Sequence, residues 1–519
     1  MIGAAGRRRA AALLAAAALG AASVRAQTIE ITSVPAYGAP GELRGRVTGV
    51  DTRTHRVAIY IQIEGSGWWS KPTAQQPAVG ILSDGTFRAN VVGGGLDDRA
   101  TIFCAALLGP GAAAPVAQGA GRVPATLAPV ATAYRERFAR TVSFAGRTWA
   151  VKESPWGVGP GDNTFSSHPG DVFVDSQGRL HLNVRFRDGR WRCAEVFTTE
   201  DMGYGTYWFT TETEVEDLDD RLTFGAFTWD PHGDDTTIPS WPYREIDFED
   251  SRWGNPNEAT TSQVVVQPWE PQGNLQRFTI PDLSADPTLT RIFTWTPNQV
   301  EFVAARGVHA PCVVPAAATI HRTTYTHAPA IGRFVPPEGR ARFRFNLWIN
   351  GGGAPRNGQT AEVIVSDFRY SPVPGTLVGG CDVNPRRSLV AVSGSTTIGT
   401  GLVLGLDNPA GTQPNGTPAA LLLGFAPDQD FPCGTLLPGF GLVGPDGELQ
   451  VDPGAGLLTY ASGLTWGGPG QRAEVTLPIP RDFLLVGRRL HALGVFVDPT
   501  PGAAVPVGLT DAIEICVRR

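Results

Sequence analysis

Three carboxylic acids alternate with two large apolar residues in Glu245-Ile246-Asp247-Phe248-Glu249. Alternation with period two is the mark of a β-strand. Residues i, i+2 and i+4 of a strand share one face. The three acids therefore face one way, and Ile246 and Phe248 face the other, toward a core. Like charges held together raise each other's pKa, so such a cluster is costly unless it is used. Two carboxyl groups are what glycoside hydrolysis requires, one as nucleophile and the other as general acid and then base. A middle acid can share a proton network with both and help keep the acid protonated. Backbone positions i and i+4 lie about 13 Å apart on a strand, whereas a retaining pair needs its carboxyl groups at about 5–5.5 Å. Two Glu side chains leaning inward on a concave sheet would close that gap. Trp229, Trp241, Tyr243 and Trp253 flank the acids, as expected where sugar rings stack. The competing reading of the pentapeptide is an acidic solvent face that guards a strand against aggregation.

The elements that must hold these residues are β-strands. The chain has 519 residues, with 63 Gly and 43 Pro, and shows many short apolar runs and few helical patterns. That combination predicts an all-β protein of several domains. A formal net charge of −6 argues against a nucleic-acid partner. Lys71 and Lys152 are the only lysines, so nearly all positive charge is Arg, a bias of the whole composition and not of one site.

The first residues read as a secretory signal: Arg7-Arg8-Arg9, an apolar stretch over 10–22, and a small-residue cleavage site ending at Ala26. The apolar run is too short to span a bilayer. The expectation is a secreted, periplasmic or cell-surface protein. Six cysteines allow fifteen pairings, and none falls in a C-x-x-C zinc pattern. The spacing of His321 and His327 matches no strong metal motif.

Residues 27–128 predict an immunoglobulin-like β module, with strands over 45–50, 56–63, 86–92 and 101–108. Trp68-Trp69 within it reads as one core tryptophan beside one loop tryptophan. Residues 124–129 read as a linker. Residues 130–372 carry the acidic strand and many further strand signals with no helices between them, which predicts a concanavalin-like β-jelly-roll sandwich. Residues 377–519 are poorer in acids and aromatics and predict an accessory β-sandwich. Cys381 and Cys516 stand near its two ends and could tie them together.

Over residues 149–372 the chain resembles glycoside hydrolase family 16, which includes lichenases, laminarinases and xyloglucan transglycosylases. The resemblance rests on Glu245-Ile-Asp247-Phe-Glu249 without an inserted residue. It rests also on Cys193-Ala-Glu195-Val with Tyr204-Gly205-Thr206-Tyr207, and on Gly225-Ala-Phe-Thr-Trp229. Trp295-Thr296-Pro297, Asn346-Leu-Trp348 with Gly351-Gly352, and Val365-Ser-Asp367-Phe-Arg-Tyr370 complete it, in order. The resemblance implies Glu245 as nucleophile, Glu249 as acid/base and Asp247 as the helper between them, with retention of configuration. It implies no required cofactor, and a structural calcium near the last strand with Asp367 as the candidate ligand. Two departures stand out. Leu289 occupies a position where the family often has His, and residues 306–339 are longer than the usual hairpin.

The reading is an exported, monomeric, retaining endo-β-glycosidase, hydrolysing or transglycosylating, without a membrane span. Its substrate would be a linear polysaccharide, a β-1,3- or β-1,3-1,4-glucan, with Trp229, Trp241, Tyr243 and Trp253 binding it. The alternatives are a lectin-like carbohydrate-binding jelly roll without hydrolysis, and a structural surface protein with an inert middle domain.

Overall fold

The computed structural model describes residues 26–233, 241, 243–311, 314–430 and 433–518. The expected secretory segment lies outside the described residues except for Ala26, and Cys312 lies outside them too. The described chain is all-β. Its only helical pieces are single 3-10 turns, and every pair of neighbouring strands in its sheets runs antiparallel. Among the described residues no helix is long and apolar enough to cross a membrane.

The chain divides into two compact units, the first ending at Ala139 and the second spanning Arg140–Arg519. In the first, Thr28–Ser33, Glu42–Thr48 and Thr86–Asn90 form a three-stranded sheet. A larger sheet is built around Arg56–Ile63 and Ile102–Leu108. Ala131–Glu136 pairs with Ile102–Leu108, beyond the boundary expected at 128. Trp68 is buried in this unit's core with Tyr60 and Cys104. Trp69 is half-buried on the same strand, Gly67–Lys71, and donates its indole N–H to the Ser66 carbonyl at 3.0 Å.

The second unit opens with two large sheets packed face to face. One has the strand order Arg140–Phe144, Arg147–Val151, Ala194–Thr198, Arg342–Ile349, Leu222–Trp229, Ile246–Ser251, Ser262–Val266, Leu275–Phe278. The acidic strand thus sits inside the sheet, between Leu222–Trp229 and Ser262–Val266. The facing sheet includes Gly205–Glu212, Ala361–Ser371, Thr288–Thr296, Gln299–Arg306 and Thr319–Thr326. Thr319–Thr326 accounts for part of the long 306–339 segment: it adds an edge strand to that sheet. Between the sheets lies one apolar core, in which Ile246 and Phe248 are almost fully buried. The Phe248 ring meets Phe209 and Phe302 of the facing sheet edge-on, with centroids 6.1 and 5.4 Å away. Burying such a side chain is worth about 1.5–3 kcal/mol, so the apolar half of the alternation fixes which way the acids point. Asp250 shares the core-side parity and ion-pairs with the equally buried Arg291 of the facing sheet. It is a fourth acid of the stretch Glu245–Asp250, and it points inward.

The C-terminal part forms a second two-sheet core around Leu402, Leu404, Leu421, Trp466, Phe496 and Ile513. The expected bridge between Cys381 and Cys516 is not made. Cys381 pairs with Cys433, with Cα atoms 5.0 Å apart, and Cys516 is engaged in a disulfide of its own. The reason is local. The buried Glu448 carboxylate accepts the Cys381 N–H at 3.0 Å and the Gly434 N–H at 2.7 Å, gathering the two cysteine-bearing loops around one side chain.

Candidate active site

The strand begins at Ile246, one residue after the first acid of the alternation, because Arg244 has φ +54° and breaks the pleat. A side chain in the left-handed region costs about 1–3 kcal/mol. Here the surroundings hold it. The buried Arg244 guanidinium ion-pairs with Asp230 at 2.5 Å, and its Nε–H donates to the Pro337 carbonyl at 3.0 Å. Burial alone would raise the Asp230 carboxyl. Hydrogen bonds from His232 and the Arg244 charge outweigh burial and hold it at about 2. Thr228 Oγ1 donates to the Arg244 carbonyl at 2.7 Å and accepts the Ile246 N–H at 3.1 Å. Glu245 is therefore presented from a fixed kink at the mouth of the strand.

The register across the sheet lines up the outward residues. Glu195, Asn346, Gly225, Glu249, Gln263 and Arg277 are successive cross-strand partners. One row on, Phe197, Arg344, Phe227, Asp247 and Val265 do the same. Each of the three acids has its own neutral donor. The Trp241 indole N–H donates to Glu245 Oε2 at 2.7 Å, and Gln267 Nε2 donates to Asp247 Oδ2 at 3.1 Å. Gln263 Nε2 donates to Glu249 Oε2, and Arg277 in turn donates to Gln263 Oε1 at 3.3 Å. On the other flank of Glu249, Gly225 has no side chain, and a Cβ there would come within 2.5 Å of Asn346 Oδ1. That oxygen is buried and has no hydrogen-bond partner among the described residues. A buried acceptor left without a partner is costly, and a ligand hydroxyl would satisfy it.

Burial pushes the Glu245 carboxyl up to about 8. The Trp241 hydrogen bond opposes this, and the charge of Glu249 adds to it. Burial, then the charges of Glu245 and Glu249, raise Asp247 well above the usual carboxylate range. Burial raises Glu249 as well, against the Gln263 hydrogen bond and the Arg277 charge. The three acids titrate as a set, and near neutral pH the set retains protons. Carboxyls that stay protonated beside one that can ionise are what acid/base chemistry on a sugar needs. Behind them Glu195 behaves oppositely. Burial alone would raise it, but Lys152 at 3.2 Å and Arg344 at 2.6 Å hold it below its ordinary value.

No family model matches the sequence, and no curated protein matches it. Solved structures do match over part of the chain. A pseudo β-1,3-glucanase and immunostimulatory antigen of Mycobacterium tuberculosis shares 18% identity. That match covers 43% of this chain and 93% of that one, with a TM-score of 0.32. A β-1,3-glucanase from Mycobacterium marinum shares 16% identity over 44% of this chain and 96% of that one, with a TM-score of 0.31. A Bacteroides ovatus GH16 protein of a mixed-linkage glucan PUL, in complex with a G4G4G3G product, shares 12% identity. It matches over 44% of this chain and 96% of that one, with a TM-score of 0.32. Likenesses this slight carry no functional weight, and the case for a reaction rests on the residues.

The four expected aromatics take different parts. Trp229 and Tyr243 stack on each other, with centroids 4.4 Å apart and planes 7° from parallel. Trp241 meets both edge-on and spends its N–H on Glu245. Trp253 has one face under the Arg277 guanidinium, 4.1 Å from the centroid. Trp229, Tyr243 and Trp253 therefore each have one ring face occupied by protein. Trp269 was not anticipated. It lies two residues past Gln267 and is 57% exposed. Its signal was Gln267-Pro-Trp269 at the end of a strand neighbouring the acidic one. Gln263, Gln267, Arg277 and Asn346 were equally unforeseen as site residues, because cross-strand register is not written in local sequence.

The surroundings of Asp367 do not fit the expected calcium. Its carboxylate is bonded by Arg369 at 2.7 Å and faces Arg386 at 3.5 Å. Calcium needs six to eight oxygens, and this acid is surrounded by guanidinium groups instead.

Two expected outcomes follow from the site itself. Glu245 holds its proton in the native state from the unfolded carboxylate value up to about 8. The stability this lends is complete below the unfolded pKa and is lost as pH rises through the native one. Each pKa unit separating the two states is worth about 1.4 kcal/mol. Glu245→Gln, which keeps an acceptor for Trp241, therefore gains stability over the wild type as pH rises from 5 to 9. Paired urea melts at the two pH values measure this, and an unchanged difference contradicts the raised pKa. The second outcome concerns Arg244. Arg244→Ala releases the anchor but retains the left-handed backbone cost, whereas Arg244→Gly removes that cost. The alanine variant is expected to lower kcat by about 100-fold, the scale of a 1 Å misplacement. The glycine variant should lose less, with KM little changed in both, as read from steady-state kinetics.

Proposed function

We propose that the protein is a retaining endo-β-glycosidase acting on a linear polysaccharide, a β-1,3- or β-1,3-1,4-glucan. The observation that carries this reading is the outward triad, Glu245, Asp247 and Glu249. All three carboxyl groups are raised by burial, Glu245 and Asp247 also by the charge of triad neighbours, and each is oriented by a separate neutral donor. A solvated, aggregation-blocking face would leave its acids hydrated and near their ordinary values.

In the proposed reaction Glu249 gives its proton to the glycosidic oxygen as the bond to the anomeric carbon breaks. Glu245, once its own proton has passed to solvent, attacks that carbon as the carboxylate from the opposite side and forms a glycosyl ester, while the leaving saccharide departs with the proton from Glu249. Trp241, as a pure N–H donor, favours the charged form of Glu245. Glu249, now ionised, removes a proton from a water molecule that attacks the anomeric carbon of the glycosyl-enzyme. Glu245 is expelled as carboxylate, and the sugar regains its original configuration. Asp247, protonated between the two, donates toward whichever neighbour carries the charge. The unpartnered Asn346 oxygen is assigned to a substrate hydroxyl. Arg7-Arg8-Arg9 and the apolar stretch after them support export.

The test is release of reducing ends from laminarin, mixed-linkage glucan, xyloglucan and agarose. Cleavage of a β-glucan is expected. Saturable binding without cleavage of any of the four would move the protein to the lectin-like reading.

A further inference from the structure

A cavity of about 320 Å³ lies where the strands of the jelly roll meet those of the C-terminal sandwich, and none of its lining residues belongs to the acidic triad. Five arginines line it: Arg147, Arg369, Arg386, Arg387 and Arg472. The carboxylates nearby are shared among them. Glu200 bonds Arg147 and also faces Arg387 at 3.4 Å. Asp367 serves Arg369 and Arg386, and Asp382 also meets Arg386. Asp201 is taken by Arg342, which does not line the cavity, at 2.9 Å. Asp511, behind Arg387, accepts that residue's backbone N–H at 2.8 Å. Burial pushes its carboxyl well up, against the charge of Arg386. The guanidinium groups therefore outnumber the ionised carboxylates.

Arg472 has no carboxylate partner among the described residues, and it is exposed. Its stem lies over Gly405, where a Cβ would come within 2.8 Å of Arg472 Cδ. Gly146 (φ +67°) leaves the space that the Arg386 stem fills, since a Cβ there would stand 2.2 Å from Arg386 Cδ. The apolar part of the lining comes from Phe368, Val390, Ala391 and Val392. Guanidinium forks match carboxylate and sulfate geometry with paired N–H donors. The volume is at the small end for ligand pockets, about 300–1,000 Å³.

We propose that this cavity binds an anionic sugar unit, carrying a carboxylate or a sulfate ester, with Arg387 and Arg472 as its charge partners and the apolar lining against the ring. The inference does not depend on the triad being catalytic.

Isothermal titration calorimetry of the full chain tests it, with glucuronate, glucose 6-sulfate and inorganic sulfate compared at constant ionic strength. Saturable one-site binding of at least one sugar is expected, tighter than inorganic sulfate, and the stronger of the two sugars identifies the anionic group. A hydrogen bond to a charged group is worth about 1.5–3 kcal/mol, so Arg472→Ala is expected to weaken binding at least about tenfold, and Arg387→Ala likewise. Glu200→Gln removes a competing carboxylate and should tighten it. Thermal melts confirm folding. If Arg387→Ala does not fold, Arg472→Ala, at an exposed position, decides. Absence of saturable binding for both sugars, or binding unaffected by Arg472→Ala, overturns the proposal. Inorganic sulfate binding as tightly as the sugars overturns the assignment of a sugar.

Discussion

Glu245→Ala is expected to abolish turnover of every glucan the wild type cleaves while leaving the fold intact. Glu245 precedes the strand, and its carboxylate faces outward, so its loss removes none of the buried apolar contacts that hold Ile246 and Phe248. It also relieves charge repulsion with Glu249. The kinetic loss should be large because the nucleophile acts as a unit with its partners. Removing one member of such a unit costs about 10⁴–10⁶ in kcat. Reducing-end assays beside thermal melts separate the two effects. A variant that melts like the wild type but cleaves nothing supports the role. Added azide can reach the anomeric carbon only from the face Glu245 vacates, so any product it gives is the α-glycosyl azide.

Glu249→Ala is expected to lose about 10²–10⁴-fold on glucans, the usual contribution of a positioned general acid or base. The loss is selective. An aryl glycoside with a good leaving group needs little protonation, so its first step survives and the variant shows a burst of phenol. It then stalls as the glycosyl-enzyme, because no base activates water. Azide needs no base, so it should restore turnover and give a β-glycosyl azide. Opposite anomers from the two variants assign the roles independently of rate. Full activity of both variants on all glucans would falsify the placement of the active site on this strand.

What could be read in the sequence was what depends on local pattern. The alternation of Glu245 to Glu249 fixes the faces of a strand, and Phe248 against Phe209 and Phe302 enforces the same division. The all-β class followed from the same periodicity and from the density of turn residues. Several features were not legible because they are tertiary. Gln263 and Arg277 meet Glu249 through register across three strands. The left-handed turn at Arg244 exists because Asp230 and Pro337 receive its side chain. Asp250 looks like one more surface acid, yet it is committed to Arg291 inside the core. The pairing of Cys381 with Cys433 was decided by Glu448, which no cysteine spacing announces. Asp367, which the family resemblance offered for calcium, is held by the guanidinium groups of Arg369 and Arg386.

The central claim is that Glu245 becomes covalently bonded to the sugar. The most direct measurement is mass spectrometry of the protein after incubation with an activated 2-deoxy-2-fluoro glycoside of the glucan it cleaves. The fluorine slows both steps, and the good leaving group allows the first to proceed, so the ester accumulates. The expected result is one glycosyl unit per chain, located by peptide mapping on Glu245 and absent in Glu245→Ala. A label on another residue, or none on a preparation that hydrolyses glucan, would contradict it.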